Sequence, residues 1–453
     1  MGFVVVLLTK TVAPSVTDDD ENERSTPSTP REIHHECGDL CETRISDPSS
    51  SPTYYGWETR DPELVVVHVP EVEVTLGSLH PRGSLYATTT TRERAETAVK
   101  QLVKVIEKYT DSRVVTVRSA LERLPHDELI ELAREAIDYV YHDDLEAVDI
   151  DSTAELWLRT KEERDILYGL SNADLVTHII TRPTIHLDPT PINTGIVVSA
   201  IVLHPLSNLV FTRDQQIVTK KGIVVGRMNS PQRAYETVVM KSVWKSLGIP
   251  IVGVVEAPGT LEGGDFIMLD KDTSLLGIGL RTNFDAAKYL MDNLLFGTLR
   301  VALVYDDKDR SQDRMHLDTY FNVVSDSVVV LLETVAGVHS PISRTVMEYA
   351  LTGYHEGHPH YEEIFSVPVE FSKWLTGRGY QVVLISDEHQ REYMINFLNL
   401  GRSRLLSVHP DLARVLRDDG VTNVQVEYVD YGGVTAMYGA AHCTTQVLRR
   451  RTN

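Results

Sequence analysis

From Ile196 to the C-terminus one pattern recurs: a short run of valine, isoleucine and leucine, a turn carrying Gly or Asp, and single amphipathic stretches between runs. The runs fall at 223–225, 251–255, 301–304, 328–332, 382–385 and 424–428, and the amphipathic stretches include 231–247 and 284–294. Short β-branched runs bounded by turn residues read as buried strands. Their recurrence predicts a repeated mixed α/β module rather than one doubly wound sheet. An earlier run at 64–69 ends at Pro70 and reads the same way. After it, Ala95, Val99, Leu102 and Ile106 recur at helical spacing, as do Leu129, Ala133, Ala136 and Val140, and Ile166, Leu170 and Ala173. Residues of about 92–180 therefore read as a helical insertion between strand-rich regions.

Residues 1–60 differ in kind. The acidic run 18–21 is followed by Ser-Thr-Pro repeats, with too little apolar material to offset the entropy of ordering. Residues 1–60 are expected to form a disordered acidic tail, and 61–453 the catalytic domain. The net charge of the 453-residue chain is −21. Eleven acidic against five basic residues put −6 of it in the tail, leaving −15 on the body. That balance argues against nucleic-acid binding and suits a cationic small molecule. The apolar run at 3–8 is far short of the ~18 residues a membrane span needs and makes a poor signal peptide, so a cytoplasmic chain without membrane association is expected. Three cysteines, Cys37, Cys41 and Cys443, cannot build a disulfide framework for this length, which fits a reducing compartment and leaves Cys443 available for chemistry.

Four polar clusters stand where strand-like runs meet loops. They are Asn208 to Asp214, Glu262-Gly263-Gly264-Asp265, His316-Leu317-Asp318, and the segment from Tyr438 to Thr445 that contains His442-Cys443. Singly, each reads as turn, cap or core, and a lone cysteine is more often a small buried hydrophobe. Together they suggest covalent catalysis on a cationic substrate: a thiol, a histidine and several carboxylates, with no phosphate-binding loop and no zinc-type spacing among them. On an extended strand His316 and Asp318 share a face, so one can shuttle protons while the other holds a cation. By the same rule His442 faces away from Cys443 and is read as structural. His34, His35, Cys37 and Cys41 have a metal-like arrangement but fall in the tail, and His355, His358 and His360 read as a polar loop after a helix. No metal or organic cofactor is expected.

The order and spacing of Asn208…Phe211-x-Arg213-Asp214, Glu262-Gly-Gly-Asp265, His316-x-Asp318 and His442-Cys443 resemble the arginine deiminases of the guanidine-modifying (pentein) superfamily. Asp214-Gln215-Gln216, the stretch 312–318 and Met437-Tyr438-Gly439 look most like the protist-type enzymes. The resemblance runs from about residue 62 to the end. It implies a five-bladed pseudo-symmetric α/β propeller with a helical insertion and a central active site. It further implies hydrolysis of L-arginine to citrulline and ammonia, with Cys443 as nucleophile, His316 as acid and base, Glu262 orienting His316, and Asp214 and Asp318 gripping the guanidinium. By the same analogy Arg233, 19 residues beyond Asp214, and Arg281, 19 beyond Glu262, bind the substrate carboxylate, although surface salt bridges are the ordinary reading of two arginines. Asn208 matches a residue at that end, Phe211 is placed to pack on the aliphatic stem, and Asp265 either takes part in catalysis or fixes a neighbouring arginine. A homo-oligomer, dimer or tetramer, is implied. The chain departs from the pattern at Ala436, Met437 and Tyr438, where many members carry another arginine. An amidinotransferase, an agmatine deiminase of the same fold, and a non-catalytic arginine-binding protein remain alternatives.

Overall fold

The structure, a computed structural model, describes residues 56–141, 152–189, 196–355 and 358–451. Five sheets repeat one pairing: an antiparallel hairpin, then a helix leading to a third strand parallel to the second. In the first, β1 (Pro62–Val67) pairs with β21 (Gln446–Arg450) and, through the helix Arg92–Tyr109, with β2 (Arg113–Thr116). The second holds β6 (Gln216–Thr219), β7 (Gly222–Val225) and, after the helix Ala234–Ser246, β8 (Ile251–Val254). The third holds β9 (Phe266–Met268), β10 (Thr273–Ile278) and, after Phe284–Asp292, β11 (Arg300–Tyr305). The fourth holds β12 (Phe321–Ser325), β13 (Val328–Leu332) and, after Phe371–Gly377, β17 (Gln381–Ile385). The fifth holds β18 (Leu398–Asn399), β19 (Arg404–Ser407) and, after Leu412–Asp418, β20 (Gln425–Tyr428).

The module follows from local sequence. In two modules the second strand is an uninterrupted apolar run: β7 and β13 are buried along their whole length, as a strand covered on both faces must be. The helices begin where a side chain takes up free amides: Thr91 accepts from Arg94 N, Asn283 from Ala286 N, and Glu370 from Ser372 N and Lys373 N. Large side chains such as Phe321 and Phe371, whose rings are 5.1 Å apart, fill the space between sheet and helix. Burying each is worth about 1.5–3 kcal/mol. The C-terminal strand completes the first module, so the two ends of the folded chain meet in one sheet.

Two insertions decorate this frame. Between β2 and β6 lie the helices Val117–Leu121, His126–Ala136, Ser152–Tyr168 and Asn172–Thr181, and a sheet of β3 (Asp138–Tyr141), β4 (Pro183–Pro189) and β5 (Ile196–Leu203). The helical periodicity at 92–180 thus divides between the first module's crossover helix and an insertion with strands of its own. The second insertion follows β13. Here β14 (Thr345–His355) pairs with β11 and extends the third sheet, and β15 (His358–Glu363) and β16 (Val369–Glu370) pair with β14. His355, His358 and His360 therefore stand on a β-hairpin rather than in a loop after a helix.

Of the tail assigned to 1–60, residues 1–55 lie outside the described residues, as do His34, His35, Cys37 and Cys41. Residues 56–60 are folded against the body. Glu58 is buried in an ion pair with Arg450 (2.7 Å), and Trp57 Nε1 donates to Asp326 Oδ1 at 3.1 Å. Composition placed them in the tail; their charge partners, nearly four hundred residues away in sequence, fix them.

Candidate active site

Each module delivers one polar segment to a common hub, always just before its first hairpin strand. Asp214 precedes β6, Glu262 and Asp265 precede β9, His316 and Asp318 precede β12, Asn396 precedes β18, and His442 and Cys443 precede β21. Hydrogen bonds link the five segments into a closed ring. Arg213 N donates to Cys443 O (3.1 Å) and Gly263 N to Asp214 O (2.8 Å). Leu317 N donates to Asp265 Oδ1 (3.0 Å) and Asn396 Nδ2 to Asp318 O (3.0 Å). His442 N closes the ring on Asn396 O (3.2 Å). All the hub side chains named are buried.

The thiol sits between two polar groups. Asn396 Nδ2 lies 3.1 Å from Cys443 Sγ, and Asp318 Oδ2 lies 3.5 Å from it. The same Asp318 oxygen is 2.8 Å from His442 Nδ1, and His442 Nε2 is 3.5 Å from Glu58 Oε1, so a chain of buried charge runs from the thiol to Arg450. His442 and Cys443 thus address one carboxylate. The alternation rule failed because 441–444 is a turn, not a strand. His316 and Asp318 likewise flank the start of a single 3-10 turn, Leu317–Thr319, and point to different partners.

On the other side, His316 Nε2 is 2.8 Å from Glu262 Oε2 and its Nδ1 is 3.9 Å from Asp214 Oδ1. The ring lies on the backbone of Gly264, where a Cβ would come within 2.7 Å of Nδ1. Burial opposes its charge, but Asp214, Glu262 and Asp265 outweigh that and raise the imidazole to about 9. Burial likewise works against the Glu262 carboxylate, yet His316, Arg281 and Arg233 hold it at about 2. Asp318 is lowered against its burial, chiefly by His442. Burial, then Asp318 and Asp214, push the Cys443 thiol well above the usual cysteine range. Asp214, Glu262 and His316 bring ligand atoms within 4.8 Å of one another, a spacing a metal ion tolerates. A metal ion there would have to displace the proton that Asp214, Glu262 and Asp265 favour on His316.

The remaining expected residues surround this hub. Phe211 is buried in the core cluster that contains Cys443 and Met437, against Gly439, where a Cβ would meet its ring. Asn208 Nδ2 donates to Ser84 O at 3.0 Å. Arg233 is buried between Asp214 (Nη1 to Oδ2, 2.8 Å) and Glu236 (Nη2 to Oε2, 2.9 Å). Arg281 Nη2 donates to Gln312 Oε1 at 3.0 Å, its Nη1 is 3.9 Å from Glu262, and its Nε has no hydrogen-bond partner among the described residues. Among the described residues no arginine pairs with Asp265. It accepts from Leu317 N and joins the third module to the fourth, and burial raises it to about 7. Sequence reasoning passed over Asn396, Glu58 and the contact of His442. Asn396 was discoverable from the repeat itself, two residues before the first strand of its module, where the other modules carry their site residues.

Comparison with known proteins places the chain in two steps. The fold is one shared with α/β proteins of solved structure. The N-terminal domain of ArgZ, an arginine dihydrolase of the cyanobacterial ornithine-ammonia cycle solved with its product, aligns with 86% of this chain and 98% of its own, at TM-score 0.52 and 12% identity. AgrE in complex with ornithine and NAD+ aligns with 86% of this chain and 40% of its own, at TM-score 0.51 and 13% identity. The family model for arginine deiminase matches residues 120–450, and the chain belongs to that family. Among named relatives, the arginine deiminase of Halobacterium salinarum is 27% identical, covering 54% of this chain and 65% of its own. That of Listeria welshimeri serovar 6b is 28% identical, covering 33% and 39%. The matches to these and to the Listeria innocua enzyme thus span 32–65% of those relatives' own length.

Proposed function

We propose that this chain hydrolyses L-arginine to L-citrulline and ammonia through a covalent intermediate on Cys443. The observation that carries the reading is the hub itself: a buried thiol beside Asp318, with a proton-bearing His316, its Glu262 partner and Asp214 opposite. A guanidinium is planar and permanently cationic, so two carboxylates can grip it through paired hydrogen bonds. Burial and the same carboxylates raise the Cys443 thiol, and the substrate's positive charge opposes them. Substrate binding therefore favours the thiolate, the thiol proton passing to solvent.

The thiolate adds to the guanidinium carbon. The tetrahedral adduct expels one nitrogen as ammonia, which takes its proton from the His316 imidazolium. The now neutral His316 removes a proton from water and the hydroxide adds to the same carbon; as the C–S bond breaks, the adduct's hydroxyl proton passes to the departing sulfur, releasing citrulline and restoring the Cys443 thiol. Glu262 keeps His316 charged between turnovers, Asn396 and His442 hold the sulfur and Asp318 in register, and Asp265 ties the His316 segment in place. For the amino-acid end, Arg281 with its unengaged Nε is the more available donor, whereas Arg233 must share its charge with Asp214 and Glu236. Phe211 and Asn208 line the route of the aliphatic stem. The low cysteine content supports a reducing compartment, the cytoplasm.

Turnover of L-arginine, agmatine and a blocked arginine peptide separates the readings. Hydrolysis of arginine alone, with ammonia and citrulline in equal amounts, is expected. Equal activity on agmatine, or dependence on an added amine, overturns the proposal in favour of the other guanidine chemistries.

A further inference from the structure

The β14–β15 hairpin ends in a tip rich in histidine. In its register His355 pairs with His358, and Gly353 with His360. Side chains alternate along a strand while directly paired residues point the same way, so His355, His358 and His360 project from one face, with Glu362 next along β15. Burial alternates accordingly: His358, His360 and Glu362 are exposed, while Pro359 and Tyr361 are partly buried. Tyr361 packs on the core cluster containing Leu276 and Leu303, so the histidine face looks to solvent. The rings of His355 and His360 lie 6.3 Å apart between centroids, and His360 Nε2 is 3.3 Å from Glu362 Oε1.

We propose that this face binds one divalent transition-metal ion, with His355, His358 and His360 as ligands. Neutral imidazole suits zinc, nickel and copper, and three imidazoles leave a tetrahedral ion one position for water. Backbone pairing sets the Cβ atoms of His355 and His358 about 4.5–5.5 Å apart. Closing to Zn–N distances of about 2.0–2.1 Å needs only side-chain rotation, which solvent exposure leaves free. Glu362 Oε1 lies 3.3 Å from Nε2 of His360, which leaves Nδ1 to face the ion and places a carboxylate where one can orient a metal-binding imidazole. The ion clips the two strands together at the tip. It sits on strands that contribute no residue to the hub, so this site is independent of the proposed reaction.

The test is titration of the full, metal-stripped chain with zinc chloride by isothermal calorimetry near neutral pH. One ion per chain at micromolar free zinc is expected, with a raised thermal midpoint. The double variant His355→Ala/His360→Ala loses this binding, and Glu362→Gln weakens it about tenfold. Circular dichroism and zinc-free turnover stay as in the parent. Undiminished binding in the triple variant that also carries His358→Ala assigns the ion elsewhere, to the hub or to the histidines and cysteines at 34–41, and overturns the proposal. So does the lack of saturable binding below millimolar zinc.

Discussion

Gly264→Ala tests whether the position of His316 governs turnover. Gly264 lacks the positive φ that would itself forbid a side chain. Its new Cβ would lie 2.7 Å from His316 Nδ1 and 2.8 Å from Cγ. Ordinary contact is about 3.5 Å, so the ring must retreat by about 0.7 Å. That displaces the 2.8 Å bond to Glu262 and the approach to Asp214. A misplacement of about 1 Å costs on the order of a hundredfold in rate, so kcat should fall by tens to a hundredfold with a smaller change in KM. The overpacking costs about 1–3 kcal/mol of stability, so the protein stays folded. The imidazole, partly removed from Glu262, should also titrate below about 9, moving the alkaline limb of the kcat profile toward neutral pH. Gly377→Ala is the control, because a Cβ there meets nothing within 4 Å. Citrulline formation against pH and thermal unfolding read both variants. A folded Gly264→Ala enzyme with kcat within twofold of the parent refutes the role given to His316.

Glu262→Gln keeps a polar partner for His316 but removes the charge that favours imidazolium, so the alkaline limb of kcat should move below about 9; an unmoved limb assigns that limb to another group. Asp265 has its folded value raised to about 7 from 3.8, so the unfolded chain releases its proton first and this group's contribution to stability falls between about pH 4 and pH 7. Asp265→Asn retains an acceptor for Leu317 N and should gain relative to the parent at pH 8 compared with pH 4, whereas Asp265→Ala loses the link at a cost of about 1–3 kcal/mol; thermal unfolding at the two pH values reads both. Asn396→Ala removes the donor to Sγ and one link of the ring, and should lower kcat about tenfold or more while the midpoint drops by a few degrees.

Much of the frame was legible because the apolar runs fall on module strands: 223–225 and 328–332 on second strands, and 251–255, 301–304, 382–385 and 424–428 on third strands. The hub motifs were legible because polar residues cluster just before the first strand of a module. What escaped depends on partners distant in sequence. Asn396 reads as a turn residue until its neighbours Cys443 and Asp318 are known. Glu58 reads as one more acid of an acidic tail until Arg450 is placed beside it. His442 was turned away by strand alternation because nothing local announces the turn at 441–444. The strands β3 and β4 mix Asp, Tyr, His and Pro with their apolar residues and carry little periodicity. His355, His358 and His360 read as a polar loop because β14 is recognisable as a strand only once its pairing with β11, about forty-five residues upstream in register, is known.

The central claim is that Cys443 carries the carbon of the substrate guanidinium during turnover. Acid quenching of the full-length chain with L-arginine, followed by mass spectrometry of the Cys443 peptide, tests it directly. The account predicts an arginine-derived adduct, with loss of ammonia, on that cysteine in the parent, and neither adduct nor citrulline formation in Cys443→Ser. Parental turnover by Cys443→Ser, or steady turnover by the parent with the adduct only on another residue, contradicts it.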